Sequence, residues 1–159
     1  MRAVQAQRPA VRFVLVGDGP TRGRLAHDNP DLIFCGVRQG EDLAQHYASG
    51  DVFLFPSRSE TFGNVVTEAM ASGLAVIAYN EAAAGEHIRH NVNGLLVGGA
   101  FAPDFSQAAL ALCQQPDRAR ALGASAAQYA QRLAWMTVVE HFAATLSEQA
   151  GRQRRRKLD

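Results

Sequence analysis

Lysine is almost missing from this chain: of its 16 basic residues only Lys157 is a lysine. No Lys-Ser or Lys-Thr pair follows its glycines, which excludes a Walker-type phosphate loop. Cysteine is scarce too. Cys35 and Cys113 are too few for a disulfide framework and are expected to be buried thiols in a reducing compartment. No apolar run approaches the length of a membrane span, and the N-terminus has no signal-peptide apolar core. A cytoplasmic location is therefore expected. The formal net charge is only +1, which argues against general nucleic-acid binding by bulk charge. There is no internal repeat, and no low-complexity segment ahead of the arginine-rich end.

What is present suits a compact α/β domain. With 159 residues, 47% of them hydrophobic and 19% charged, the chain can bury a proper core. Residues 1–150 are expected to form one domain, and 151–159 a basic disordered tail. The abundance of alanine, and of arginine over lysine, hints at a GC-rich bacterial genome. Val11 to Val16, Leu32 to Cys35, Val52 to Phe55, Ala75 to Tyr79 and Leu95 to Val97 lack period-two alternation. They read as buried strands of a parallel sheet. Helical stretches lie between them, including Glu41 to Ser49 and Asn64 to Ser72, the latter stopped by Gly73. The fold expected is α/β, a Rossmann-like doubly wound parallel sheet in three αβα layers, with ligand at the carboxyl ends of its strands. Two helical segments close the chain. Leu122, Ala126, Tyr129, Ala130 and Leu133 share the face of one, and Trp135, Val138, Val139, Phe142 and Leu146 that of the other.

The most informative segment runs from Pro56 to Gly73. It reads as a strand end, a turn containing Gly63, and a helix opening with free backbone N–H groups. Those groups and the helix dipole favour a phosphate at that end, and Gly63 lets backbone approach closely. Glu60 and Glu68 stand eight positions apart. A carboxylate beside a phosphate would repel it, so both must face neutral hydrogen-bond donors, and the vicinal diols of ribose or hexose fit. Val65, Val66, Ala69 and Met70 form the apolar face of the Glu68 helix. A glycosidase-like acid and nucleophile pair is disfavoured, because a helix N-terminus depresses both carboxyl pKa values rather than raising one.

This segment, Pro56-Ser57 through Glu60, Phe62-Gly63 and Glu68-Ala69-Met70-Ala71 to Gly73, resembles the E-x7-E signature of retaining GT-B glycosyltransferases, the family 4-like group that includes sucrose synthases and bacterial α-mannosyltransferases. Val14 to Pro20, Ile33 to Val37, Gly50 to Pro56, Ala75 to Ala78 and Asn93 to Val97 match that group's strand segments in order and spacing. The resemblance covers only the second, donor-binding domain, the C-terminal half of a GT-B fold. The acceptor domain is not in the sequence, and Met1 to Gln7 looks like the tail of the helix that follows the domain's first strand and its Arg/Lys diphosphate clamp.

By this resemblance the substrate is a GDP- or UDP-sugar, no cofactor or metal is used, and the hexosyl acceptor is a glycan or a lipid-linked group. The partners implied are the missing acceptor domain and, through the full-length enzyme, a peripheral contact with the inner face of the membrane. Glu68 is expected to bind the ribose hydroxyls. Glu60, the catalytic candidate, is expected to orient the donor sugar and support charge at its anomeric carbon. Phe62 lies in the donor loop, and the N–H groups of Gly63, Asn64 and Val65 receive the diphosphate. Val37, at a strand end, is the candidate for base contact. The closing Trp135 to Leu146 helix would reach across to the absent domain.

The other motifs are weaker. Gly17-Asp18-Gly19-Pro20 is followed by Gly23 one residue too late for G-x-G-x-x-G, and no acidic residue ends the next strand, so a dinucleotide site is disfavoured. Arg38 is open between stacking on the base and being solvated, and Arg58 between assisting phosphates and forming a surface ion pair. His87 and His90, three apart, lack a third metal ligand nearby. His46 has no evident catalytic partner. Where the family commonly has glycines near the donor sugar, this chain has Glu81-Ala82-Ala83-Ala84-Gly85-Glu86, implying a different sugar-facing wall. Two further readings stay open: a stand-alone nucleotide-sugar-binding module without catalysis, and a GT-B epimerase.

Overall fold

The computed structural model describes residues 1–58, 64–98 and 104–133. Glu60, Phe62 and Gly63, the Trp135 to Leu146 segment and the arginine-rich end lie outside the described residues. The elements alternate: α1 (Arg2–Gln7), β1 (Val14–Val16), α2 (Arg22–Asp28), β2 (Ile33–Gly36), α3 (Gly40–Ala48), β3 (Val52–Phe55), α4 (Asn64–Ala71), β4 (Ala75–Tyr79), α5 (Ala82–His87), β5 (Leu95–Val97), α6 (Phe105–Cys113) and α7 (Pro116–Gln131). Every strand pairing is parallel. The strands expected from the apolar runs are all present, the first two beginning later than the runs did.

β4 is the middle of the sheet and is covered on both faces. Ala75 and Ile77 point into one apolar cluster, with Val4, Leu95, Val97, Ala108, Leu112 and Leu122. Val76 and Ala78 point into the other, with Val66, Ala69, Met70, Ile88 and Ala126. That division follows from the two-residue period of a strand, and it explains why β4 has no polar position before Tyr79. α1 and α6 lie on the first face; α4 and α5, with Tyr47 of α3, lie on the second. The result is the expected αβα layering.

The sheet is made of two hydrogen-bonded parts, β1–β2 and β3–β4–β5. Phe13, just before β1, and Val52 and Leu54 of β3 pack on the same cluster, so the two parts flank one core. On the other side of β1, Val14 and Val16 are exposed, as is Ile33, the register partner of Val14.

α4 ends as its sequence predicts. Gly73 takes φ +79°; its N–H bonds to the Met70 carbonyl, and the Leu74 N–H reaches back to Ala69. These two bonds make a Schellman cap. α7 then crosses this turn so closely that a Cβ on Gly123 would sit 2.0 Å from the Gly73 oxygen. The obstacle is backbone and cannot swing aside. Gly123→Ala should therefore cost about 3 kcal/mol, lowering Tm by roughly 6–12 °C. Gly23→Ala, whose Cβ meets nothing within 4 Å, should leave Tm unchanged or raise it; thermal unfolding of both variants checks this.

Candidate functional site

Because the strands are parallel, their carboxyl ends share one edge. Gly17 to Pro20 follow β1, Val37 and Arg38 follow β2, Pro56 to Arg58 follow β3, and Asn80 to Ala82 follow β4. Every segment expected to bind the donor among the described residues leaves the sheet at this edge or opens α4. The Gly17 N–H bonds to the Gly36 carbonyl at 2.8 Å, which ties the first two loops together. Pro20 sits in the turn, two residues before α2 rather than at its start. A surface hollow lined by Arg2, Gln5, Ala6, Pro9, Arg12 and Asp31 opens where β1 and β2 begin. That is the opposite edge, and it has no part in a site at the strand ends.

Glu68 is exposed on the second turn of α4, while Val66, Ala69 and Met70 on the same helix are fully buried. This burial fixes the rotation of α4 and hence the direction of Glu68. Asn64 and Val65 are the first residues of α4, as the diphosphate assignment requires. The Tyr47 hydroxyl of α3 donates to Glu68 Oε2 at 3.2 Å. Its ring leans on Phe53 of β3 with centroids 5.7 Å apart. Partial burial, and then the neighbouring carboxylate, push the Tyr47 phenol up to about 12. This partner was not legible from sequence. It lies 21 positions from Glu68 on a different helix, and the only hint was a polar-tipped aromatic on the inner side of α3.

Arg58 resolves as an ion pair. Its guanidinium lies 3.4 Å from Glu81 and 4.1 Å from the centre of the Tyr79 ring, joining the loops after β3 and β4. Tyr79 in turn packs on Phe105 and fills the space beside Gly98, where a Cβ would come within 2.9 Å of its ring. Arg38 is paired with Asp42 at 3.2 Å, and Val37 is 60% exposed. Ala82, in the segment that departs from the family's glycines, adopts φ +46°. A left-handed alanine is strained by about 1–2 kcal/mol.

The two histidines read as a same-face pair do not form one. α5 stops at His87, which bonds the Tyr129 hydroxyl at 3.1 Å. His90 lies beyond the helix and accepts from the Leu96 N–H at 3.1 Å. The turn between them is held by buried Asn93, which accepts from Arg89 N–H and donates to the His87 carbonyl. His46, read as having no acidic partner, has one a turn earlier on α3: its Nδ1 lies 2.7 Å from the Asp42 carbonyl oxygen and 3.4 Å from the Asp42 carboxylate. Cys35 and Cys113 are free and half-buried, more open than expected. Burial raises the Cys113 thiol, with Asp51 adding and Arg8 opposing. No helix among the described residues is long and apolar enough to cross a membrane.

Comparison with known proteins accounts for this arrangement. The family model described as glycosyl transferases group 1 matches residues 1–115. The chain belongs to the group 1 glycosyl transferases. It is 35% identical over 149 residues to a D-inositol 3-phosphate glycosyltransferase of Rhodococcus opacus, covering 85% of this chain and 32% of that protein. It is 48% identical over 88 residues to a GDP-mannose-dependent alpha-mannosyltransferase of Mycobacterium tuberculosis, covering 55% of this chain and 23% of the relative. The chain thus spans between about a quarter and a third of these relatives' length. Among solved structures, sucrose-phosphate synthase from Thermosynechococcus elongatus superimposes with TM-score 0.76 at 27% identity, over 95% of this chain and 41% of that one. Anabaena HepE in complex with UDP and glucose gives 0.75 at 27%, over 92% and 43%. The α/β architecture is that of GT-B glycosyltransferases.

Two outcomes test this geometry. The raised Tyr47 pKa means that the folded chain keeps a proton which the unfolded chain gives up near pH 10. Stability should be full below about pH 10 and fall as pH rises through about 12. Absorbance at about 295 nm should show one late-ionising tyrosine that Tyr47→Phe removes, and Glu68→Gln should lower its midpoint. Separately, Ala82→Gly should relieve the left-handed strain, less the extra freedom it gives the unfolded chain. The net gain expected is about 0.5–1 kcal/mol, read as a Tm increase in thermal unfolding.

Proposed function

We propose that this chain is the donor-binding part of a retaining, metal-independent glycosyltransferase that takes a hexosyl group from a nucleoside diphosphate sugar. The observation that carries the reading is the placement of Glu68 and of the α4 start with Asn64 and Val65 at the carboxyl edge of a parallel sheet. Nucleotides bind at that edge in open α/β folds. The names of the relatives support the same class: a GDP-mannose-dependent mannosyltransferase and a structure holding UDP and glucose. Both a GDP- and a UDP-sugar remain consistent with them.

In this mechanism the diphosphate rests on the N–H groups of Gly63, Asn64 and Val65, and Glu68 accepts the ribose hydroxyls. Val37 contacts the base, Phe62 belongs to the donor-binding set, and Glu60 orients the sugar. As the glycosidic bond breaks, the leaving diphosphate gathers negative charge, and fixed N–H dipoles stabilise it without reorganising. No protein nucleophile is assigned. The acceptor, a glycan or a lipid-linked group, belongs to a preceding domain of a longer polypeptide.

Thermal unfolding with millimolar GDP, UDP, ADP and NAD tests the donor site. A ligand at about a hundred times its Kd adds roughly 2.7 kcal/mol, or on the order of 5–10 °C for a chain of this size. A rise with GDP or UDP that Glu68→Ala abolishes is the expected result. A rise with NAD alone, or one that Glu68→Ala leaves intact, would sink the assignment.

A further inference from the structure

A carboxylate that must receive two hydroxyls of a ring has a geometric problem. Glutamate has several freely rotating bonds, and an exposed one loses rotamer freedom when it is fixed. Glu68 is exposed on α4, and burial of its helix sets the position of its Cα but not of its carboxyl group. One described side chain does that. The Tyr47 hydroxyl, donating to Oε2 at 3.2 Å, holds the group from the direction of α3.

Tyr47 is itself held. Its ring is partly buried against the cluster that contains Val66, Ala69 and Met70, and it leans on Phe53, which is followed on β3 by the stacked ring of Phe55. The aromatic row runs from the sheet to the phenol, so the donor oxygen is fixed by packing. A tyrosine suits the task electrically. A lysine or arginine would bring a positive charge to the carboxylate, whereas a phenol orients it and brings none. An ionised carboxylate offers about four acceptor positions. Tyr47 takes one, leaving both positions on Oε1 and one on Oε2, enough for a vicinal pair of hydroxyl donors.

We propose that Tyr47 is a positioning residue that presets the Glu68 carboxylate to receive the 2′- and 3′-hydroxyls of a nucleoside diphosphate. This rests on the donor-site reading above and assigns to α3 a part in it. Tyr47 touches Glu68 and not the ligand, so its effect must pass through the ribose hydroxyls alone. It selects for a cis-diol; a nucleotide without one gains nothing from it.

The test compares GDP with 2′,3′-dideoxy-GDP, and UDP with 2′,3′-dideoxy-UDP, by isothermal titration with the natural chain, Tyr47→Phe, Glu68→Ala and the double variant. The natural chain should prefer the ribonucleotide that it binds. Tyr47→Phe should weaken that ribonucleotide by about threefold to tenfold and leave the dideoxy analogue within about twofold of its original affinity. In the Glu68→Ala background, Tyr47→Phe should change neither. An equal loss for both nucleotides, including loss through unfolding, would make Tyr47 a merely structural residue and overturn the proposal. Full retention of ribose preference in Tyr47→Phe would overturn it too, with the donor site left standing. A natural chain that binds neither ribonucleotide, or binds ribo and dideoxy forms alike, would remove the donor-site reading and this inference together.

Discussion

The close crossing of α7 over the end of α4 is the constraint on which the rest of the structure depends. Gly123 has no side chain, so the α7 backbone comes against the Gly73 carbonyl; with Ala126 it closes the second core cluster over Val66 and Met70. The approach needs both glycines for different reasons. Gly73 supplies the left-handed residue that ends α4, and Gly123 supplies space. With α4 clamped between β4 and α7, its rotation is settled, and so is the side from which Glu68 leaves it. The side from which a carboxylate leaves a short helix is thus set by a helix some fifty positions further on.

Part of the fold was legible because its central strand is buried on both faces and so reads as a plain apolar run, whereas β1 and β2, read as buried too, each expose part of their apolar residues. Ala75 to Tyr79 and Val52 to Phe55 were placed to the residue, since their apolar side chains pack on the clusters of both faces. The first strand was read from Val11, but Val11 and Phe13 enter the core from the approach to the strand, and the ladder begins only at Val14. An apolar run records burial, not pairing, so its end is a poor guide to a ladder's end.

The site was legible in a different measure. Glu68, Asn64 and Val65 stand on one helix, where spacing along the chain gives spacing in space. Tyr47 and Glu68, or Arg58, Tyr79 and Glu81, meet only because separate elements are packed side by side. No pattern in one sequence encodes such meetings. His87 and His90 show the reverse failure, a helical spacing cut short because Ile88 turns extended, buried at 3% exposure, and ends α5 between them.

The electrostatics of the carboxyl edge follow from these meetings. Arg22, at the start of α2, reaches to within 3.8 Å of where a Gly36 Cβ would lie; Arg38 is held by Asp42 and Arg58 by Glu81. Both pairs are solvent-exposed, and the Arg58 side chain is 64% exposed. Exposed pairs of this kind hold with only about 0–1 kcal/mol. A diphosphate carries more charge than one carboxylate and offers oxygens in several directions, so it can draw Arg58 from Glu81 at small cost. The contact with the Tyr79 ring need not break in that exchange, because a cation over an aromatic face leaves its N–H edge free. Under the donor-site reading proposed above, Arg58 would pass from its surface pair with Glu81 to a phosphate contact. The two readings that its sequence position left open would then be successive states of one side chain.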